Sequence, residues 1–275
     1  WDREGKLTAV REPMSNYRVY KREQVETLFA DFFSQDTEDT ISNYVEPHNK
    51  YTVLELFAGA GGLAVGLEKA GLKCVALNEI DKWACITLRK NRPNWKVLEG
   101  DIKDFDFTEY HNTVDVVTGG FPCQAFSYAG KKLGLADARG TLFYEFARVV
   151  KESQPNVFIF ENVKGLINHD SGNTFETIKA TFDELGYKYF YQVLNAKNYG
   201  MPQHRERIFV VGFKDKKAKF SFPEPIDLEY KMQDFLEDYT DSKYYLKEKG
   251  VKFVTSSKNR NKRYTQINGE IALCQ

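Results

Sequence analysis

Cysteine is scarce in this sequence, and none of its four cysteines lies in a Cys-x-x-Cys pair. The spacing predicts neither a zinc site nor a disulfide framework, and no metal is expected. Cys74 and Cys85 stand among apolar residues, which favours core packing for both. No apolar run approaches the length of about eighteen residues that a membrane-spanning helix needs, and no charged-then-apolar leader opens the sequence. On these grounds we expect no membrane segment, no secretory signal and a cytoplasmic location.

An excess of charge is missing as well, because 39 lysine and arginine residues balance 39 aspartate and glutamate residues. A globally basic surface for nucleic acid is therefore not predicted. Locally, the stretch from Lys243 to Arg263 carries eight basic residues and the single acid Glu248. Such a run favours phosphate contacts, although a solvated loop has the same composition. The 275 residues, 42% of them hydrophobic, suffice for one large domain with a smaller attachment or for two modest domains.

The most distinctive stretch reads Gly-Gly-Phe-Pro-Cys-Gln at residues 119–124, after an apolar run at 114–118. The β-branched run predicts a buried strand and the glycines predict a tight turn, and open α/β sheets place their chemistry at that end. Cys123 would then stand at the sheet edge, directly after Pro122. A thiol has an ordinary pKa of about 8.5, so a nucleophilic role needs a neighbouring cation or a helix N-terminus. An inert, buried cysteine is the alternative interpretation.

A second candidate site is the glycine-rich turn at residues 57–64, which reads Phe-Ala-Gly-Ala-Gly-Gly-Leu-Ala after a predicted buried strand. Its glycines let the backbone approach a ligand and direct helix N-terminal amides toward it. Glu79 ends the next predicted strand, where an acid can bind both ribose hydroxyls of an adenosine-bearing cofactor. Asp101 offers a carboxylate to an exocyclic amine, or else caps a turn. The glycine pattern also fits nicotinamide-dependent oxidoreductases, so the residues alone leave that alternative open.

Charged side chains adjoin two further predicted strands. Glu161 comes directly after the apolar run at residues 156–160, and a carboxylate there is costly unless a partner or a ligand uses it. A buried ion pair is the alternative. Arg205 and Arg207 precede the strand predicted at 208–213 and, being two apart on extended chain, point to the same side. They either face a pocket or form weak ion pairs at an exposed strand edge.

These motifs, in this order, resemble those of the cytosine-5 DNA methyltransferases over roughly residues 51–213, which would form the catalytic domain. Pro-Cys-Gln resembles the nucleophile motif, Glu-Asn-Val the cytosine-reading motif and Gln-x-Arg-x-Arg the late arginine motif, while the glycine turn and Gly-Asp-Ile resemble the two cofactor motifs. The resemblance implies an α/β, Rossmann-like S-adenosylmethionine-dependent methyltransferase fold with a mixed seven-stranded sheet. It also implies a cofactor site formed by Phe57, Ala58, Gly59, Gly61, Gly62, Leu63, Glu79, Ile80, Asp101, Ile102, Pro122 and Leu142.

The function implied is that of a DNA (cytosine-5-)-methyltransferase, with S-adenosylmethionine as cofactor and double-stranded DNA as substrate. Cys123 would attack carbon 6 of a flipped cytosine, and Glu161 would hold the N3 and amino group of that base. Arg205 and Arg207 would contact the base O2 and the catalytic loop. A restriction–modification system with a cognate endonuclease is the expected setting. Phosphate contacts are expected from Gln124, Ser127, Lys131 and Lys132.

The remaining segments are predicted to be smaller units. Residues 1–46 combine a Tyr-Arg-Val-Tyr strand with a helix at 21–33 and resemble the wing of MerR-type winged-helix DNA-binding domains, although a surface extension is the alternative. Residues 214–275 resemble the start of a target-recognition region, without the return segment that completes the family's cofactor site. We therefore expect either a chain missing both ends or the catalytic half of a two-subunit methyltransferase. A transfer-RNA methyltransferase of the same family is a further alternative.

Overall fold

The molecule is organised around one seven-stranded sheet. Its structure, a computed structural model, describes residues 9–11, 18–20, 51–121, 142–236, 241–242, 245–257 and 269–273. The strands of the sheet are β3 (Thr52–Leu56), β4 (Lys73–Glu79), β5 (Val97–Glu99), β6 (Val116–Gly119), β7 (Val157–Val163), β8 (Lys188–Asn195) and β10 (Glu206–Phe213). They lie in the order β5-β4-β3-β6-β7-β10-β8, which confirms the predicted mixed seven-stranded sheet.

The direction of β10 sets where the functional residues meet. Neighbours from β5 to β7 pair in parallel, whereas β10 runs antiparallel to both β7 and β8. Arg207, near the start of β10, is therefore opposite Val163 at the end of β7. The carboxyl ends of the parallel strands and the beginning of β10 thus share one edge of the sheet, where open α/β sheets bind their ligands.

Helices cover the sheet, and their apolar faces form the core. One face of α3 (Leu142–Ser153) is buried, and the rings of Phe146 and Phe158 lie 6.1 Å apart between centroids. From α4 (Asn173–Glu184), Phe182 packs on Phe158 with a centroid distance of 4.3 Å. These contacts between aromatic rings join the helices and the sheet into one apolar layer. The helices are α1 (Gly62–Lys69), α2 (Lys82–Asn91), α3 (Leu142–Ser153), α4 (Asn173–Glu184) and α5 (Glu248–Thr255).

One helix is absent from the sequence-based expectations. The predicted elements do not include α2, whose buried residues are only Cys85 and Leu88, so its apolar periodicity is weak. The start of α4 at Asn173 is set by the residues that precede it. Asp170 and Ser171 have positive φ of 49° and 55°, a conformation that cannot continue a right-handed helix.

The segments outside the sheet are described in part. β1 (Ala9–Arg11) and β2 (Arg18–Tyr20) pair antiparallel, which confirms the short strand predicted there, while the helix predicted at residues 21–33 lies outside the described residues. β11 (Ala272–Leu273) pairs in parallel with β9 (Gln203–His204) beside the arginine motif. Among the helices of the described ranges, none combines the length and the apolar character needed to cross a membrane.

Candidate active site

The turn between β3 and α1 forms the first part of the site. Gly59 and Gly61 have positive φ of 55° and 87°, which glycine adopts without strain. A Cβ on Gly61 would lie 2.7 Å from Leu88 Cδ2, whereas one on Gly59 would meet no atom within 4 Å. A side chain at position 61 would therefore have to displace Leu88, while Gly59 leaves open space beside it. The N–H of Ala58 donates to the Asn78 carbonyl at 3.0 Å and ties the turn to β4.

Glu79 closes β4 beside this turn and is 8% exposed. Its Oε2 accepts a hydrogen bond from the N–H of Gly59 at 2.7 Å. Its Oε1 accepts from the N–H groups of Ile80 at 2.9 Å and Asp81 at 2.8 Å. Because a carboxylate offers about four acceptor positions, capacity remains for a hydroxyl donor. Ile80 follows this carboxylate directly and is 66% exposed. Gly59, Glu79 and Ile80, three of the predicted cofactor residues, therefore lie together.

Asp101 lies next to the end of β5. Its Oδ1 accepts from the N–H of Lys103 at 3.1 Å and caps a short 3-10 turn, which is the geometry expected under the capping interpretation. That cap uses one of the two carboxylate oxygens. The neighbouring Ile102 is only 2% exposed, so its side chain belongs to the core. The Gly100 N–H donates to the Glu79 carbonyl at 2.9 Å and joins this segment to the previous one.

Three further predicted cofactor residues are half-buried and one is exposed. Phe57 has a positive φ of 56° and is half-buried, with its ring centroid 6.0 Å from that of Phe121. Leu63 is half-buried in the first turn of α1, and Gly62 is exposed there. Leu142 is half-buried at the first position of α3.

Residues 119–121 lead from the end of β6 toward the predicted nucleophile. Phe121 is 3% exposed and packs on Phe160 with a centroid distance of 5.2 Å. The Asn162 Nδ2 donates to the Phe121 carbonyl at 3.0 Å. Asn162 therefore fixes this segment, a role that the sequence reasoning missed; the available signal was a second polar residue, next to Glu161, in a mostly apolar strand. A Cβ on Gly120 would lie 2.7 Å from Glu161 Oε2, so the segment is packed against that carboxylate.

Glu161 and Arg207 form an ion pair at the shared edge. The Arg207 Nε donates to Glu161 Oε1 at 3.0 Å, and the two side chains are 17% and 24% exposed for arginine and glutamate respectively. Burial raises the pKa of Glu161 above its usual range, and the positive charges of Arg207 and then Arg205 oppose that increase. Arg205 is exposed just before β10, and its N–H donates to Asn195 Oδ1 at 3.1 Å. The structure thus brings both predicted arginines near the predicted base-reading carboxylate.

Six of the predicted site residues lie outside the described residues: Pro122, Cys123, Gln124, Ser127, Lys131 and Lys132.

The structure buries Cys74 and Cys85, as expected for core cysteines. In the described ranges, no group of three or more histidine, cysteine, aspartate or glutamate side chains could hold a metal ion.

The family is decided by comparison with known sequences. The model for C-5 cytosine-specific DNA methylases matches residues 51–272. The chain belongs to this methylase family. The match includes every described residue of the edge that holds Gly59, Glu79 and Glu161. It favours the methyltransferase interpretation of the glycine turn over the nicotinamide alternative.

Bacterial relatives support the same assignment. The methylase chain is 57% identical over 225 residues to the Type II methyltransferase M.Eco47II of Escherichia coli, covering 79% of this chain and 52% of that protein. It is 48% identical over 229 residues to the Type II methyltransferase M.PspPI of Psychrobacter sp. (strain TA137), covering 82% of this chain and 55% of that protein. The chain therefore spans about half the length of the curated relatives it matches.

Solved structures agree on the fold of the methylase chain. A mutant of Spodoptera frugiperda DNMT2 superposes with a TM-score of 0.61 at 22% identity, covering 73% of this chain and 63% of that one. The Dnmt2 methyltransferase of S. pombe gives a TM-score of 0.55 at 19% identity, covering 74% and 64% respectively. At this identity the likeness concerns the fold, and the predicted Rossmann-like methyltransferase architecture is confirmed.

Proposed function

We propose that the protein containing this chain transfers a methyl group from S-adenosylmethionine to carbon 5 of a cytosine in DNA, within a restriction–modification system. The observation that carries the proposal is the Glu161–Arg207 pair, with 3.0 Å between Arg207 Nε and Glu161 Oε1. The Glu161 carboxylate of this pair packs against Gly120, three residues before Cys123. Family membership and relatives named as Type II methyltransferases support the reaction and its setting.

The residues of the cofactor side fit S-adenosylmethionine. Glu79 retains acceptor capacity for ribose hydroxyls, and the open space beside Gly59 admits a ligand close to the backbone. Asp101 has a second carboxylate oxygen for the exocyclic amine of adenine, and the exposed Ile80 provides an apolar surface for the ring. When bound, S-adenosylmethionine supplies an electrophilic methyl group on a sulfonium centre.

On the base side, Cys123 and Glu161 act on the pyrimidine ring. The Cys123 thiolate forms a bond from Sγ to carbon 6 and displaces the ring's electron pair toward carbon 5. Glu161, whose pKa is raised by burial, donates its proton to N3 and so stabilises the electron-rich ring. Once carbon 5 carries the methyl group, N3 returns its proton to Glu161 and water takes the proton from carbon 5. The electron pair of that C–H bond re-forms the bond between carbons 5 and 6 as the bond from Sγ to carbon 6 breaks, so Cys123 leaves as the thiolate. The base leaves the duplex for these steps, at a cost of a few kcal/mol.

Chain connectivity supports the placement of the nucleophile near Glu161. Cys123 follows Gly120 by three residues, so their Cα atoms are at most about 11 Å apart. Gly120 itself lies in contact distance of Glu161 Oε2, since a Cβ there would be 2.7 Å away. We propose that Arg205 and Arg207 contact the base O2 and add positive potential that lowers the pKa of the thiol. The proposed phosphate contacts are Gln124, Ser127, Lys131 and Lys132.

The flanking segments are proposed to serve DNA recognition. The antiparallel pair β1 and β2 is compatible with a winged-helix wing in residues 1–46, which would add affinity through phosphates without setting the methylated sequence. Residues 214–275 would begin the target-recognition region after the catalytic domain at 51–213. A cognate restriction endonuclease or a second methyltransferase subunit are the proposed protein partners.

The test uses the full protein, DNA containing 5-fluorocytosine and S-adenosylmethionine. Fluorine cannot leave as a proton does, so Cys123 should remain bound to carbon 6 as a covalent adduct. Cys123→Ser should abolish the adduct, because an alcohol offers almost no alkoxide at neutral pH. Cofactor binding, measured by calorimetry, should survive in this variant, with S-adenosylmethionine preferred to NAD.

Matched controls and the contrary outcomes complete the experiment. Cys74→Ser and Cys85→Ser should still form the adduct, because both side chains are buried in the core. An adduct that persists in Cys123→Ser would overturn the assigned nucleophile. Adduct formation on transfer RNA but not on DNA would overturn the substrate. Bisulfite sequencing of DNA from cells that express the full gene identifies the methylated sequence.

A further inference from the structure

Arg148 of α3 forms hydrogen bonds to the segment that carries Asp101 and Ile102. The Arg148 Nη2 donates to the Ile102 carbonyl at 3.0 Å, and Nη1 donates to the Phe105 carbonyl at 3.3 Å. The guanidinium carbon also lies 5.7 Å from the ring centroid of Phe107. One side chain therefore contacts the segment at three points between residues 102 and 107.

Arg148 is itself fixed by two carboxylates on the same helix. Its Nε donates to Glu145 Oε2 at 2.8 Å, and its Nη1 donates to Glu152 Oε2 at 2.9 Å. The same Glu152 oxygen accepts from the N–H of Phe107 at 3.3 Å. The arginine is 30% exposed and Glu145 is 12% exposed, so this network is better shielded from water than a surface ion pair. A planar guanidinium directed by two carboxylates has little freedom to move.

The segment depends on this network for its orientation relative to the sheet. The Asp101 carboxylate is engaged in its own short turn through the Lys103 N–H, and that turn contains the Ile102 carbonyl held by Arg148. A displacement of the Ile102 carbonyl would therefore move the Asp101 carboxylate with it. Arg148 lies in α3, the helix that begins at Leu142, so this helix fixes the position of the segment.

We propose that Arg148 is a positioning residue that sets the selectivity of the cofactor site for adenine by fixing the Asp101 carboxylate. This inference rests on the proposed function, in which Asp101 accepts from the exocyclic amine of S-adenosylmethionine. A purely structural arginine would support the fold and leave ligand selectivity unchanged. The two cases differ in whether loss of Arg148 changes the ratio of two affinities or only the stability of the protein.

The experiment compares two product analogues by calorimetry on the full protein. S-adenosylhomocysteine carries the exocyclic amine, and S-inosylhomocysteine has an oxygen in its place. The wild-type protein should bind the adenosyl compound about tenfold more tightly or better, because the inosyl compound leaves the Asp101 oxygen unpaired. Arg148→Met should reduce that ratio toward one. Arg148→Lys should give an intermediate ratio, since lysine keeps the charge but lacks the planar fork.

Arg89→Met is the matched control. Arg89 also forms a close ion pair beside this edge, with Glu99 at 2.6 Å, but its side chain is 46% exposed. Its removal should leave the ratio of the two affinities unchanged. If Arg148→Met does not fold, Glu152→Gln provides the same test, because it weakens the support of a retained arginine.

The outcomes separate the inference from the function on which it rests. A lower melting temperature in Arg148→Met with an unchanged ratio would overturn the positioning role and leave the proposed function intact. Failure of the wild-type protein to bind either analogue would overturn the proposed function and this inference with it. A ratio that collapses in the Arg148 variants and not in Arg89→Met supports both.

Discussion

Glu79 and Glu161 lie at the same edge of one sheet, yet the chain holds these two carboxylates in opposite ways. Glu79 accepts three backbone N–H groups, at 2.7 to 2.9 Å, and no side chain is needed to orient it. Glu161 is paired with the side chain of Arg207, and burial raises its pKa. A backbone-held carboxylate suits a constant binding task. A carboxylate held by side chains, with a raised pKa, suits proton donation during a reaction.

The largest effect is expected from Glu161→Gln. Glutamine keeps the shape and some hydrogen bonding but has no proton to lend to N3, so we expect kcat to fall by about a hundredfold or more. Cofactor affinity should change by less than about twofold, since the Glu79 cluster is untouched. Methylation rates and calorimetry on the full protein measure both quantities. A tenfold loss of cofactor affinity with normal kcat would reverse the roles given to the two carboxylates.

Glu79→Gln should have the converse effect. The amide replaces one acceptor oxygen with a donor, which leaves at least one of the N–H groups of Gly59, Ile80 and Asp81 without its acceptor. We expect the dissociation constant for S-adenosylmethionine to rise about tenfold and kcat at saturating cofactor to stay within about threefold of the wild-type value. The comparison fails if kcat falls as far as in Glu161→Gln while cofactor affinity is preserved.

Removal of Arg207 should change the pH dependence of the reaction. Because burial raises the pKa of Glu161, its reactive protonated form is lost as pH rises, and the rate should decline on the alkaline side. Arg207 favours the carboxylate form and lowers this pKa, so Arg207→Met should move the decline to higher pH. Arg205→Met should move it in the same direction by less. A shift toward lower pH in Arg207→Met, measured from kcat against pH, would contradict this account.

The last prediction concerns stability rather than catalysis and involves Glu55, a third carboxylate in the same sheet. Glu55 is 2% exposed in β3, its Oε2 has no hydrogen-bond partner, and burial raises its pKa from 4.5 to about 8. Between these values the unfolded chain loses the proton and the folded chain keeps it. Stability should therefore fall as pH rises through this range, by roughly 1 kcal/mol per pH unit, and level off above it.

Glu55→Gln isolates that contribution, because the amide is neutral in both states. The free energies of unfolding of wild type and variant, measured by denaturation at a series of pH values, should be most similar near pH 4.5. Toward pH 8 they should differ increasingly, with the variant the more stable. Parallel stability curves across this range would show that Glu55 is ionised in the folded protein.

The parts of the site that were predictable are those built from local sequence. The glycine turn, the end of β4 at Glu79 and the position of Glu161 in β7 each follow a short apolar run, and period and turn chemistry identify such elements. The Glu161–Arg207 pair could not be derived in this way. It joins residues from separate strands and depends on β10 lying antiparallel beside β7, a feature of topology rather than of local pattern.

Roles that depend on long-range contacts were missed for the same reason. Arg148 reads in the sequence as one charge on the polar side of an amphipathic helix, and its acceptors at Ile102 and Phe105 lie more than forty residues away. Asn162 was part of a recognised motif, but its bond to the Phe121 carbonyl follows from the packing of β6 beside β7. Every residue carries a backbone carbonyl, so a side chain that donates to one cannot be recognised from the pattern of residue types.

The reversed direction of β10 has a consequence for how this fold can diversify. Its first residues lie at the reactive edge, so its last residue, Phe213, is opposite Val157 at the far edge of the sheet. The chain then returns along β8, with the Lys188 Nζ bonded to the Ala218 carbonyl and the Ile226 N–H to that of Asn198. The later residues are therefore joined to the sheet through residues 214–226, which lie beside it. We expect insertions and exchanges of later segments to be tolerated there, so that new sequence specificities can evolve without disturbing Glu161 and Arg207.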